Sequence, residues 1–274
     1  MGLSGVEIAE KLRINRATLA KYLGVFAAEG LIRQKDIGNA HLWFIETGVE
    51  NLQFPQDYFR VKEQFLNFLT SGSPQQVFQL MRNAQHSGAE VAKLVSEVVL
   101  PAIDSVDDMY LKAKVGKSEA KLFYGIISAS MRMLSFSSQS VDQKRNVTVI
   151  SADSASSLYA EAASCALASR QWQVFELGDM SGAIDVMYDL DLQKFLTRVW
   201  KQKQGVMVVL IFSASEEAAK FFSESATSIK PKFGKNLHVG VHTKNQKPNI
   251  KAEFTSDRFD AVLQWADSIA GPVS

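Results

Sequence analysis

Residues 206–212 read Val206-Met207-Val208-Val209-Leu210-Ile211-Phe212, apolar without a break. A membrane helix needs about 20 such residues, so the run is far too short to span a bilayer. A short β-branched run with no polar position reads as a strand buried on both faces, which occurs when helices cover a parallel sheet from either side. The flanking sequence continues in the same pattern. Upstream, Asn146–Ser151 is a strand, a helix runs from about Ser157 to Ser169, and Trp172–Leu177 is a second strand closed by Gly178. Asp191 to Lys203 is helical, with Leu192, Phe195, Leu196 and Val199 facing inward. Downstream, Glu216–Ser228 is a helix, Leu237–Val241 a strand, Lys251–Thr255 a short fifth strand, and Asp257–Ala270 an amphipathic helix. Five strands with crossover helices imply a doubly wound α/β sheet of order 2-1-3-4-5 over residues 145–274. Its ligand crevice would lie beyond the carboxyl ends of the strands, near residues 151–157, 212–215 and 240–244.

Two further parts precede this sheet, so the fold class is α+β multidomain. Residues 57–138 carry amphipathic helices with stripes at Tyr58, Val61, Phe65 and Phe68, and then at Val77, Leu80, Met81 and Ala84. A longer helix runs from about Ala89 to Lys112, and another starts with Ser118 as its N-cap. Four such helices joined by short loops imply a four-helix bundle. Ser135–Ser140 and Asp142–Arg145 read as its connector to the sheet. Residues 1–48 open with a helix from Leu3 to Leu12 that carries a stripe of Val6, Ile8, Ala9 and Leu12. Asn15 is placed to cap a second helix bearing Leu19, Leu23 and Phe26, which ends at Glu29-Gly30. Leu31–Lys35, a turn over Asp36–Ala40 and His41–Ile45 complete a β-hairpin.

Composition limits the function. The 30 Lys and Arg against 29 Asp and Glu give a net charge of +1, so DNA contact would have to come from a local patch rather than a basic coat. One cysteine, Cys165, excludes an internal disulfide and a Cys-rich zinc module, and it reads as a small core residue. The N-terminus lacks a basic stretch followed by an apolar one, so the expected address is the cytoplasm, with no membrane contact. His41, His86, His238 and His242 stand apart, and no HExxH, Walker loop, GxSxG or Cys–His pair occurs. Neither catalysis nor a metal site is expected.

The first part resembles the winged helix–turn–helix of archaeal and bacterial transcription regulators. That resemblance implies a second helix in the major groove of double-stranded DNA, with Asn15, Arg16, Thr18, Lys21 and Tyr22 facing it. Arg33, Lys35 and His41 would touch phosphates from the wing. Acidic and basic residues balance over this part, which keeps open a module used for protein contact. A complete module has a helix ahead of Leu3, so either the start of this sequence lacks it or a later segment or a partner is expected to cover the exposed stripe.

The order of the three parts resembles the light-sensing cobalamin-dependent transcription regulators over essentially the whole chain. The resemblance places Tyr110 near the Trp, and Phe123-Tyr124 near the Glu-His pair, that lie over the corrin's upper face. The alternative is that these aromatics are plain bundle core. The family's Asp-x-His-x-x-Gly loop appears as Asp153-Ser154-Ala155-Ser156-Ser157-Leu158, its Ser-x-Leu as Ser213-Ala214-Ser215, and its Gly-Gly as Gly240-Val241. Asp153, Ser154, Ser213, Ser215 and Gly240 would then line a degenerate crevice. Ala155 stands where the family's His holds cobalt, and a methyl group cannot ligate a metal. His-ligated cobalamin is therefore not expected. The hydroxyl-rich loop either caps its helix or takes another small, anionic ligand. The implied function is a homo-oligomeric DNA-binding regulator. The alternative is a corrinoid-type carrier, a methyltransferase-associated protein or a protein-interaction adaptor.

Overall fold

The computed structural model describes residues 2–28, 31–37, 40–45, 52–136, 141–200, 204–243 and 250–271. Contacts divide the chain into two compact units, Met1–Ala89 and Glu90–Ser274. The helices expected to form one bundle are shared between these units, the first two in one and the last two in the other.

In the first unit, β1 (Leu3–Ser4) precedes α1 (Gly5–Leu12) and α2 (Arg16–Ala28), followed by the hairpin of β2 (Ile32–Ile37) and β3 (Ala40–Ile45). The first helix starts two residues later than expected because Ser4 is its N-cap. The Ser4 hydroxyl accepts from the Glu7 N–H at 3.3 Å, and the Glu7 carboxylate accepts from the Ser4 N–H at 2.7 Å. Leu3 and Ser4 instead pair with Trp43 and Leu42, making an antiparallel sheet of order β1-β3-β2. Asn15 caps α2 as expected, accepting from the Ala17 N–H at 2.8 Å. The core here is small: Ala9, Leu19 and Leu23, with Ile8, Ile32 and Trp43 against them. Val6, Leu12 and Phe26, expected on buried stripes, are exposed. Glu29-Gly30 and the Gly38-Asn39 part of the turn lie outside the described residues. Two more helices, α3 (Tyr58–Thr70) and α4 (Pro74–His86), belong to this unit. Leu69 rather than Phe68 completes the buried stripe of Tyr58, Val61 and Phe65.

In the second unit, α5 (Val91–Leu94), a π-turn over Val95–Val99 and α6 (Leu100–Leu111) make up the expected long helix. The π-turn falls just ahead of Pro101, which has no N–H to give to the helical ladder. α7 (Lys117–Ser135) begins one residue before the expected cap, with the Gly116 N–H donating to the Glu119 carboxylate at 2.8 Å. The sheet elements follow: β4 (Asp142–Ser151), α8 (Ser157–Ser169), β5 (Trp172–Asp179), α9 (Tyr188–Val199), β6 (Val206–Ser213) and α10 (Glu216–Ser228). The short α11 (Lys230–Phe233), β7 (Leu237–Thr243), β8 (Phe254–Ser256) and α12 (Phe259–Ala270) complete the unit. Ser137–Ser140 of the expected connector lie outside the described residues.

All the neighbours in this sheet are parallel, in the order β5-β4-β6-β7-β8, which is the expected 2-1-3-4-5. β6 is buried from Met207 to Ser213, as its unbroken apolar run requires. α8 is buried from Tyr159 to Leu167 on every side, because the sheet packs on one flank and α5 and α7 on the other. Ala160, Ala162, Ala163 and Ala166 allow that double approach, and they explain why α8 shows little hydrophobic periodicity. Among the described residues, no helix is long and apolar enough to cross a membrane.

Gly205 opens β6 at φ +66°, and a Cβ there would lie 1.9 Å from the Lys144 carbonyl oxygen. Gly205→Ala is expected to lower the unfolding free energy by about 2–4 kcal/mol, combining backbone strain with a steric clash. Urea denaturation of the variant against the wild type measures it.

Candidate functional site

The carboxyl ends of β4 and β6 leave the sheet side by side, with Ser151 paired to Phe212. The two loops that follow are joined by one carboxylate, that of Asp153. Its Oδ2 accepts from the Ser213 hydroxyl at 2.8 Å, the Ala214 N–H at 2.8 Å and the Ser215 N–H at 3.2 Å. Its Oδ1 accepts from the Ser156 N–H at 3.0 Å. Burial alone would raise the Asp153 pKa, but these donors outweigh it and hold the carboxyl below the usual range. Ser215 in turn caps α10, accepting from the Ala218 N–H at 3.3 Å. Ser151 donates to the Asp153 carbonyl at 2.5 Å. Asp153, Ser213 and Ser215 therefore do converge, but on each other, while Ser154 is exposed beside them.

A ring cluster fills the adjoining strand ends. His242, buried on β7, stacks on Phe212 at 5.1 Å and on Tyr159 at 6.0 Å, and meets Phe259 edge-on at 6.4 Å between centroids. Tyr159 donates to Asp104 on α6, and Tyr124 of α7 donates to Asp107 at 2.6 Å. Burial first, and then these carboxylates, raise both phenol pKa values, so the hydroxyls stay protonated donors. His238, the other histidine of this strand, turns instead to Glu253 at 2.8 Å.

The remaining crevice candidates are dispersed. Phe123 is core, Tyr124 is tied to Asp107, and Tyr110 is exposed at the end of α6. Gly240 does not open onto a crevice. A Cβ at this position would lie 2.3 Å from Trp265 of α12, whose indole stacks on Phe254 at 5.1 Å. Lys244, at the limit of the expected crevice, lies outside the described residues. Sequence reasoning missed Tyr159, Asp104, Phe259 and Trp265, since each meets its partner across the tertiary fold and carries no local motif.

These residues do not fit a His-ligated corrin. The loop offers the exposed methyl of Ala155, the Asp153 carboxylate is fully used between backbone loops, and an indole covers Gly240. The one nearby imidazole, His242, is packed among rings. Among the described residues, no group of three or more His, Cys, Asp or Glu side chains is placed to hold a metal ion. Cys165 is buried, and that burial pushes its thiol up to about 11, which suppresses thiolate chemistry.

The residues expected at DNA lie on the first unit. Asn15, Arg16, Thr18, Lys21 and Tyr22 are all exposed along the start and outer face of α2. On the hairpin, Arg33 and Lys35 are exposed, and His41 lies 2.5 Å from Asp36, whose carboxyl is held below its usual range by that contact.

No protein-family model matches the sequence, and no curated protein matches it. Solved structures do. The monomethylamine corrinoid protein of Methanosarcina barkeri superposes with a TM-score of 0.55 at 13% identity, over 77% of this chain and 97% of that one. A cobalamin-binding protein from Desulfitobacterium hafniense gives 0.41 at 9% identity over 77% and 98%. The methanol:cobalamin methyltransferase complex of M. barkeri gives 0.39 at 13% over 94% of each. The first of these likenesses shows that the chain has the flavodoxin-like α/β fold of a corrinoid protein.

The Asp153 clamp makes a prediction. Asp153→Asn places an amide nitrogen against backbone donors, and it is expected to cost about 1–3 kcal/mol in urea unfolding. The folded carboxyl is held below its unfolded value, so its stabilisation is present above about pH 4 and disappears as the pH falls through the depressed value. The stability difference between wild type and variant should therefore shrink on acidification below pH 4, as followed by circular dichroism.

Proposed function

We propose that this protein is a methyltransferase-associated member of the corrinoid-protein fold that acts by protein contact and does not carry a corrin itself. The observation that carries this reading is the use of Asp153. In a carrier-like scaffold, the carboxylate beside the ligand loop has become a staple between the β4 and β6 loops, with Ala155 next to it. The likeness to the monomethylamine corrinoid protein over nearly its whole length supports the scaffold, and the indole over Gly240 supports the loss of room for a cofactor. On this reading the chain is not an enzyme, since Tyr124 and Tyr159 are held protonated by burial and their Asp partners and are not poised as bases.

Reconstitution with hydroxocobalamin followed by gel filtration tests it. The protein is expected to emerge without visible corrin absorbance, and stoichiometric retention of the corrin would overturn the reading. Cross-linking in the native host followed by mass spectrometry should identify a methyltransferase subunit. Recovery of promoter DNA without such a subunit would favour the second reading.

That second reading, a DNA-binding regulator of winged-helix type, has its own observation. Thr18, Lys21 and Tyr22 share one exposed face of α2, with Arg16 at the helix start and the β2–β3 hairpin in the same unit. A homo-oligomer would then present two such helices to one operator. On upstream DNA, Arg16→Ala and Lys21→Ala should each weaken binding across all sequences and reduce the salt slope by about 1. Fluorescence anisotropy over a salt series measures both effects, and wild-type binding without salt dependence would exclude this reading.

A further inference from the structure

Between β5 and α9 the described residues of the second unit carry their densest run of exposed apolar side chains. Ile184, Val186, Met187 and Leu190 all face solvent, Val186 with 92% of its surface. None of them belongs to the Asp153 clamp or the His242 ring cluster. Beside them a cleft of about 460 Å³ is walled by Leu177, Met180, Leu192 and Phe195. Exposed apolar groups next to an apolar recess, rimmed by charge, have the anatomy of a protein contact. The rim itself has a direction. Asp191, Lys194 and Arg198 are exposed and follow one another at intervals of three and four residues, on one stripe of α9. The stripe is therefore negative toward the start of the helix and positive toward its end.

We infer that this face pairs with a second copy of the chain about a two-fold axis, the two α9 helices running antiparallel. In that arrangement Asp191 of each copy meets Lys194 and Arg198 of the other, so every attraction is made twice. Parallel packing in register would instead set like charges against each other. Met187 and Leu190 of each copy then lie against the Leu192–Phe195 wall of the other, and both apolar surfaces leave water. The face needs no foreign surface to complete it. One stripe offers both signs of charge, and one segment with its neighbouring cleft offers both the apolar projections and the recess. The second reading above uses a homo-oligomer without assigning its surface, and this inference depends on neither reading.

Sedimentation equilibrium of the full chain tests it. The wild type is expected to dimerise at about 100 μM or below. Val186→Asp with Met187→Asp, both at exposed positions, should weaken the dimer about tenfold or more. Asp191→Arg makes the stripe wholly positive, and Lys194→Glu with Arg198→Glu makes it wholly negative. Each of these charge variants alone should weaken self-association about tenfold or more, while an equimolar mixture of the two should dimerise again. Circular dichroism establishes that each variant is folded, and should a charge variant unfold, the apolar variant carries the test alone. A monomeric wild type, the result for a face reserved for a different protein, overturns the inference. So does unchanged dimerisation in the folded apolar variant, or a mixture of folded charge variants that stays monomeric.

Discussion

A strand without a polar face must be covered twice, and the second unit is organised around that requirement. β6 lies in the middle of the sheet, so every side chain from Met207 to Phe212 needs a helix above or below it. α10 meets this need from one side, and α8, itself buried all round, meets it from the other. α8 can be covered in turn by α5 and α7 only because its own side chains are small. Burial on two faces thus spreads outward from one strand, through a layer of alanines, to the helices that precede the sheet.

The same geometry explains why the strand ends are closed in this chain. Parallel strands bring their carboxyl ends to one edge, where loops diverge and a crevice commonly forms. Here the β4 and β6 loops are tied together by a carboxylate that accepts four hydrogen bonds. Each donor satisfied by Asp153 is a donor no longer offered to a ligand. Next to them, His242, Phe212, Tyr159 and Phe259 pack as rings, and Trp265 lies on the glycine of β7. These strand ends are therefore filled by ordinary core packing.

Much of this could be read from local pattern. Alternation, run length and glycine placement located the strands, and the parallel order followed from the crossover helices between them. Asp153, Ser213 and Ser215 were legible as a group, and the structure brings them within hydrogen-bond distance of one another. Their use was not legible, because a carboxylate flanked by serines looks the same whether it holds a ligand or its own backbone. Gly240 was read as a crevice residue from the resemblance of Gly240-Val241 to a Gly-Gly pair, and only the packing shows that its open face is filled by an indole 25 residues further along the chain.

What the sequence by itself determined was therefore the secondary structure, the order of the sheet and the absence of a cobalt-binding side chain at Ala155. These depend on residue type and on spacings of two to four positions. What only the tertiary structure decided was which polar groups pair with each other, which glycine face is filled and where the compact units divide. Those depend on contacts between residues far apart in the chain, whose energies come from burial and mutual geometry and leave no periodic trace in the order of amino acids.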